Sequence, residues 1–388
     1  MKIAIFTESY HPVVNGVTRS VDTLVEGLSA DGHIAHVFAP GAPAPGGEEP
    51  FVHRFPTYFL PIAPDYPLAI PFSRPIFEFF VRQQFDLIHI QTPFALGLCG
   101  LYLARRFKIP VVATLHTLYV EYSHYVPILP DRLVRYLLQA GIRAFYNRVD
   151  AVVAPSPSVA CLLRQYGVVS PLRVVPTGVE MPQPLPKAAA RECFGLPAEV
   201  PVLLYVGRLA REKNIELLLK AFKIILNSLP HAHLLVVGSG PADAEMKSLA
   251  CALGIQQRVI FAGFRPHAEV TAAISAADLF LFPSSTDTQA VSVVEAMALS
   301  VPPVVINAFG PADFVVDGVS GRVVPSNAGE MAHAAIEILC NPLEWQRLST
   351  GAKCRAEEFS TAATLQLMIN LYEDVLARSP GASAADQP

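Results

Sequence analysis

The stretch Val202-Leu203-Leu204-Tyr205-Val206-Gly207-Arg208, followed at Lys213 by the opening of a helix, reads as one strand–loop–helix unit. Its apolar run lacks the alternation of a half-exposed strand, which suits a parallel strand covered on both faces. The pattern recurs along the chain. In the first half, strands are expected at Lys2–Thr7, His33–Ala39, Leu87–Gln91, Val111–His116, Ala151–Ala154 and Arg173–Val175. In the second they are expected at Val202–Gly207, His233–Gly238, Val259–Ala262, Leu279–Phe282, Val304–Ile306 and Gly321–Val324. Longer helix-period segments separate them, which is how repeated βαβ units read, so the fold class is α/β with one parallel sheet per half.

Between the halves, residues 176–186 carry closely spaced prolines and read as an extended linker. The expected division is 1–178, 179–358, a last helix over 359–378 and a disordered tail over 379–388. The proline-rich segment 42–75 reads as a long surface loop. Hydrophobic content of 52% against 16% charged residues fits buried parallel strands, and 388 residues suffice for two cores.

A net charge of −4 argues against nucleic acid as principal partner. The charge is uneven: over 105–148 seven cations face only Glu121 and Asp131, a balance of +5. That suits either a solvated helical face or an anionic surface. Six scattered cysteines without a Cys-x-x-Cys pair read as buried thiols in a reducing compartment, neither a disulfide nor a zinc framework. No apolar run reaches the roughly 20 residues of a membrane span, and Met1 leads directly into a strand, so a cytoplasmic protein is expected.

Four side chains carry the chemistry. Arg208 and Lys213 lie beyond a strand's carboxyl end, where open α/β sheets bind ligands, and together suit two adjacent phosphates. They could instead pair with Glu212 or Glu216. Asp287 and Glu295, eight residues apart, span a loop-to-helix junction; one carboxylate sits in the loop and one in the helix. Between them, the amides of 289–292, Ala290 and Val291 included, form a cradle for an anion or hydroxyl. Cations for a diphosphate beside carboxylates for ribose and sugar hydroxyls imply a nucleotide-sugar site. At the first strand end, Gly16 opens a helix and admits a ligand to its backbone. His116, expected at a strand end, can meet a sugar hydroxyl, whereas His89 in mid-strand reads as a satisfied core histidine. His11 and His124 stay open.

The set Asn15-Gly16-Val17, His116, Gly207-Arg208 with Lys213-Asn214, Gly238-Ser239-Gly240-Pro241, Gly263 and Glu295-Ala296-Met297-Ala298 resembles glycosyltransferase family 4 over nearly the whole chain. The resemblance implies a GT-B fold: two Rossmann-like domains facing a cleft, with the last helix returning to the N-terminal one. It implies that Arg208 and Lys213 bind the donor diphosphate, Glu295 the ribose, and that Gly16 lies against the phosphate. It implies further that His116 and Asp287 attend the transferred sugar, and that the backbone near Phe264 and Arg265 meets the base. The chain departs from the family where Asp287 and Ala290 replace a glutamate and a glycine.

Residues 287–289 and 116–127 look most like the bacterial diacylglycerol glucosyltransferases, which work at a membrane surface. With that resemblance, the arginine-bearing segment 132–148, which also carries Leu133, Leu137, Leu138, Ile142 and Phe145, becomes a candidate for anionic lipid. The expected activity is retaining transfer of a hexose from a UDP- or GDP-linked donor to an acceptor hydroxyl, such as that of diacylglycerol, without cofactor or essential metal. A GT-B sugar-nucleotide epimerase or hydrolase, a mannosyltransferase acting on a phosphatidylinositol-type or soluble acceptor, and a non-catalytic subunit are the alternatives.

Overall fold

The computed structural model describes residues 1–13, 15–41, 50–58, 68–121 and 129–378. The expected tail, His124 and half of the 116–127 stretch lie outside them, as do parts of the 42–75 loop. The chain divides into two compact units, one comprising Met1–Gly178 with the segment from Thr361, the other Val179–Ser360.

The first unit contains β1 (Lys2–Phe6), β2 (Ile34–Pro40), β3 (Val52–Phe55), the short antiparallel pair β4 (Thr57–Tyr58) and β5 (Leu68–Ala69), β6 (Leu87–Ile90), β7 (Val111–Thr114), β8 (Ala151–Ala154) and β9 (Leu172–Val174). Its sheet is parallel throughout, in the order β3-β2-β1-β6-β7-β8-β9. Successive side chains point to opposite faces, and both faces are covered. Ala4 and Phe6 pack with Phe38, Phe80 and Ile90 on one side. On the other, Ile3 and Ile5 pack with Val21, Leu28, Met368 and Tyr372. This double burial explains the unbroken apolar runs.

The last helix, Thr361–Arg378, contributes Met368, Ile369, Leu371, Tyr372 and Val375 to the second of these cores. It lies against helix Gly16–Ala30, close enough that a Cβ on Gly27 would be 3.1 Å from Leu365.

The second unit contains β10 (Val202–Val206), β11 (His233–Val237), β12 (Val259–Gly263), β13 (Leu279–Phe282), β14 (Pro303–Ile306) and β15 (Arg322–Val324). They form a parallel sheet in the order β12-β11-β10-β13-β14-β15. In each unit the chain winds outward from its first strand, then returns to that strand's other side. The switch points therefore fall between β1 and β6 and between β10 and β13, where crossovers diverge and leave a crevice.

Two expectations need correction. The 42–75 segment is not wholly loop: β3 pairs with β2 in register Val37 to Val52, and Phe55 is fully buried. Four residues at a sheet edge, flanked by prolines, carry too short an apolar signal to stand out. Of the cysteines only Cys99 is buried; Cys161, Cys193, Cys251, Cys340 and Cys354 are exposed. Cys161 shows why: its helix, Pro157–Gln165, buries Val159 and Leu163, a one-turn spacing that leaves Cys161 on the other face.

Candidate functional site

In the second unit, the loops after β10 and β13 meet at the switch point. The first carries Arg208 and Lys213, the second Asp287. Lys213 Nζ donates to Asp287 Oδ1 at 2.7 Å, with the two side chains only 13% and 22% exposed. The loops are stitched further by Thr286 Oγ1 donating to the Glu212 carbonyl and Ser292 Oγ to that of Val206. Lys213 thus pairs across the crevice rather than with Glu212 or Glu216; Glu216 is taken by Lys220. Arg208 is exposed, and its guanidinium makes no hydrogen bond or ion pair with the described residues.

The second oxygen of Asp287 and one oxygen of Glu212 are buried without a hydrogen-bond partner among the described residues. A buried carboxylate oxygen lacking a donor is costly, so the site is built to receive donors. Tyr205 lies beneath, its hydroxyl donating to the Arg208 carbonyl at 3.2 Å. Burial, aided by Asp287 and Glu212, holds that phenol protonated. Gly310 backs the loop: a Cβ there would stand 2.2 Å from the Asp287 carbonyl oxygen.

Helix Val291–Ala298 follows, with Glu295 buried inside it and His267 Nδ1 3.8 Å from its carboxylate. Ala290, at the N-cap, is held in the left-handed region with φ 60°. A glycine adopts that conformation freely, whereas an alanine is strained there. Phe264, just past β12, is 64% exposed, while the Arg265 guanidinium turns back to Glu269 and the Ala262 carbonyl.

In the first unit, Gly16 begins helix Gly16–Ala30, and a Cβ there would meet nothing within 4 Å. Asn15 Oδ1 already accepts from the amides of Val17 and Thr18, so the open backbone at Gly16 is the accessible part of this helix end. His116 lies two residues beyond β7, which stops at Thr114. Its Nε2 is 2.6 Å from Gln91 Oε1, and burial pulls its pKa down to about 4. His89 is the satisfied core histidine, between Tyr372 Oη and Thr114 Oγ1 at 2.7 Å each. His11 pairs with Asp22.

Sequence reasoning passed over Gln91, Tyr205, His267 and Gly310. Gln91 follows β6 by one residue, and its strand-end position was the available signal. The other three act through contacts distant in the chain, which local patterns do not reveal.

Helix Asp131–Tyr146 buries Val134, Ile142, Phe145 and Tyr146, so Ile142 and Phe145 belong to the core and not to a lipid-facing side. Its exposed apolar residues are Leu133, Tyr136 and Leu137. No helix among the described residues is long and apolar enough to cross a membrane.

Comparison with known proteins agrees with this architecture. The model of "Glycosyltransferase Family 4" matches residues 14–181, and that of "Glycosyl transferases group 1" matches 187–355. An alpha-monoglucosyldiacylglycerol synthase of Streptococcus pneumoniae is 34% identical over 321 residues, covering 78% of this chain and 70% of the relative. A GDP-mannose-dependent alpha-mannosyltransferase of Corynebacterium glutamicum is 28% identical over 390 residues, covering 98% and 90%. The solved structure of a sucrose-phosphate synthase from Thermosynechococcus elongatus superposes with a TM-score of 0.80 at 24% identity, covering 97% of this chain and all of that one. The two parallel-sheet units are therefore Rossmann-like halves of a GT-B fold, and the chain belongs to the family 4 glycosyltransferases, enzymes that act on nucleotide sugars.

Proposed function

We propose that the protein is a retaining hexosyltransferase that moves glucose from a nucleoside-diphosphate donor to the free hydroxyl of diacylglycerol at the cytoplasmic face of a membrane. The observation that carries this reading is the buried, donor-less Asp287 oxygen next to the Lys213 ammonium, with the unpaired Arg208 on the same strand-end loop. A diphosphate satisfies the two cations, and a hexose hydroxyl satisfies the carboxylate. Glu295 accepts from the ribose, and exposed Phe264 offers a ring beside the base.

In this reaction the donor's C1–O bond to phosphate breaks, and the acceptor oxygen bonds C1 from the same face. The acceptor's proton passes to a phosphate oxygen, and the nucleoside diphosphate leaves. Arg208 and Lys213 stabilise the charge that develops on it, a role that needs no metal. His116, neutral because burial holds its pKa near 4, orients the sugar by hydrogen bonding and carries no charge.

The lipid acceptor is supported by the similarity to a glucosyldiacylglycerol synthase and by exposed Leu133, Tyr136 and Leu137 on a helix that also carries exposed Arg132 and Arg143. Similarity to a GDP-mannose-dependent enzyme favours GDP-mannose as the second donor to test. The experiment is a panel of UDP- and GDP-sugars offered with diacylglycerol vesicles, followed by mass spectrometry of the lipid. Hexosyl-diacylglycerol formed from UDP-glucose above all other donors is expected. Transfer only to a water-soluble acceptor, or to none, contradicts the reading.

A further inference from the structure

We propose that Gln91 is a positioning residue: it fixes His116 in one neutral tautomer, with the proton on Nε2, and presents its own amide N–H beside it to an oxygen of the bound substrate. The proposal rests on the reading of His116 as a sugar-facing group. Gln91 sits one residue past β6, its backbone N–H bonded to the Phe6 carbonyl at 2.8 Å, and its side chain is 2% exposed. His116 comes from the end of β7, the next strand in the sheet. Both residues emerge from the carboxyl edge, close to the switch point between β1 and β6.

The 2.6 Å contact joins His116 Nε2 to the amide oxygen of Gln91. An amide oxygen only accepts, so the imidazole must donate from Nε2, which leaves Nδ1 as the ring's acceptor. The rest of Gln91 is unfinished. Its Nε2 is buried and has no hydrogen-bond partner among the described residues. An unpaired amide donor in a core is costly, more so than a packing role justifies.

Gln91 and His116 line one cavity with Ser20, Thr114, Thr177 and Thr361, and Thr361 Oγ1 is also buried there without a partner among the described residues. Among the described residues no carboxylate, lysine or arginine lines this cavity, and the other titratable group there, His89, is held neutral between Tyr372 and Thr114. Two orphaned polar atoms in a neutral, hydroxyl-lined space fit a hydroxyl-bearing ligand, to whose oxygen Gln91 donates.

The test is nitrogen NMR of the imidazoles in the full-length protein, with His116 assigned by the signals lost in His116→Asn. Wild type should show His116 as a single Nε2–H tautomer. Gln91→Met should give mixed tautomers and lower the midpoint further, because burial remains and an acceptor for the charged ring is lost. Its kcat should fall about tenfold while the donor KM changes less than about twofold, because an oriented contact is lost and donor binding is not.

Gln91→Glu separates positioning from folding. Its carboxylate accepts the same N–H and restores one tautomer, but it favours the charged ring, so turnover should decline below about pH 7 and recover above it. An Nδ1–H tautomer in wild type overturns the proposal. So does Gln91→Met with an unchanged tautomer and midpoint, or Gln91→Glu with a wild-type pH profile. If the tautomers respond as described while no donor yields a transfer product, the functional reading fails and the positioning contact stands.

Discussion

Lys213 Nζ and Asp287 Oδ1 stand 2.7 Å apart although 74 residues separate them in sequence. Their ion pair closes the crevice between the loops after β10 and β13, and it makes the two cations of the proposed diphosphate site unequal. Removing Lys213 strands a largely buried carboxylate, whereas the Arg208 guanidinium has no bond to the described residues to lose. Lys213→Ala should therefore cost about 1–3 kcal/mol of stability in denaturant unfolding, and Arg208→Ala under about 0.5 kcal/mol. Both variants should lose at least tenfold in kcat, about 1.4 kcal/mol of transition-state stabilisation. Equal stabilities, or near-normal turnover in both, would contradict the assignment.

Ala290 sits at φ 60° where an L side chain is strained. Ala290→Gly should stabilise the protein by about 1 kcal/mol and retain turnover. Gly310→Ala should act in the opposite direction, since its Cβ would stand 2.2 Å from the Asp287 carbonyl oxygen and push that loop away. A melting temperature lowered by Ala290→Gly would show that the strain has been misjudged.

The contrast between these positions shows what the sequence could convey. All twelve expected strands are present, because parallel strands buried on both faces are continuous apolar runs. The edge strand Val52–Phe55 escaped notice, being four residues long among prolines. That Arg208 and Lys213 stand at a strand-end crevice was legible from their place after a strand. That Lys213 joins Asp287, or that Gln91 holds His116, depends on loops brought together by sheet order, which no local pattern encodes. The apolar residues at 142 and 145 were misassigned because periodicity marks an amphipathic helix without saying which partner covers it.

His36 and His53 form a hydrogen-bonded pair at 3.0 Å among Phe51, Phe79 and Phe85. Burial lowers both pKa values, that of His53 to about 4, from an unfolded value of 6.5. The unfolded chain thus binds protons before the folded one does. The stabilisation is complete above about pH 6.5 and is lost as pH falls towards 4. Urea unfolding at pH 7.5 and pH 5 should show this loss, and His53→Gln should reduce it. An unaltered pH dependence in that variant would place the proton uptake elsewhere.

If, as proposed, Arg208 and Lys213 face the donor diphosphate, transfer should survive chelation. Turnover in EDTA should stay within about twofold of that in magnesium. Complete loss, restored by magnesium or manganese, would mean that a metal ion carries the leaving-group charge instead.

The account as a whole is tested most directly by the anomeric configuration of the product, read by proton NMR after incubation of UDP-α-glucose with diacylglycerol vesicles. The account predicts an α-linked glucosyl-lipid, formed with release of one UDP per sugar transferred. A β-linked product would contradict same-face transfer, and free glucose without glycolipid would make the protein a hydrolase.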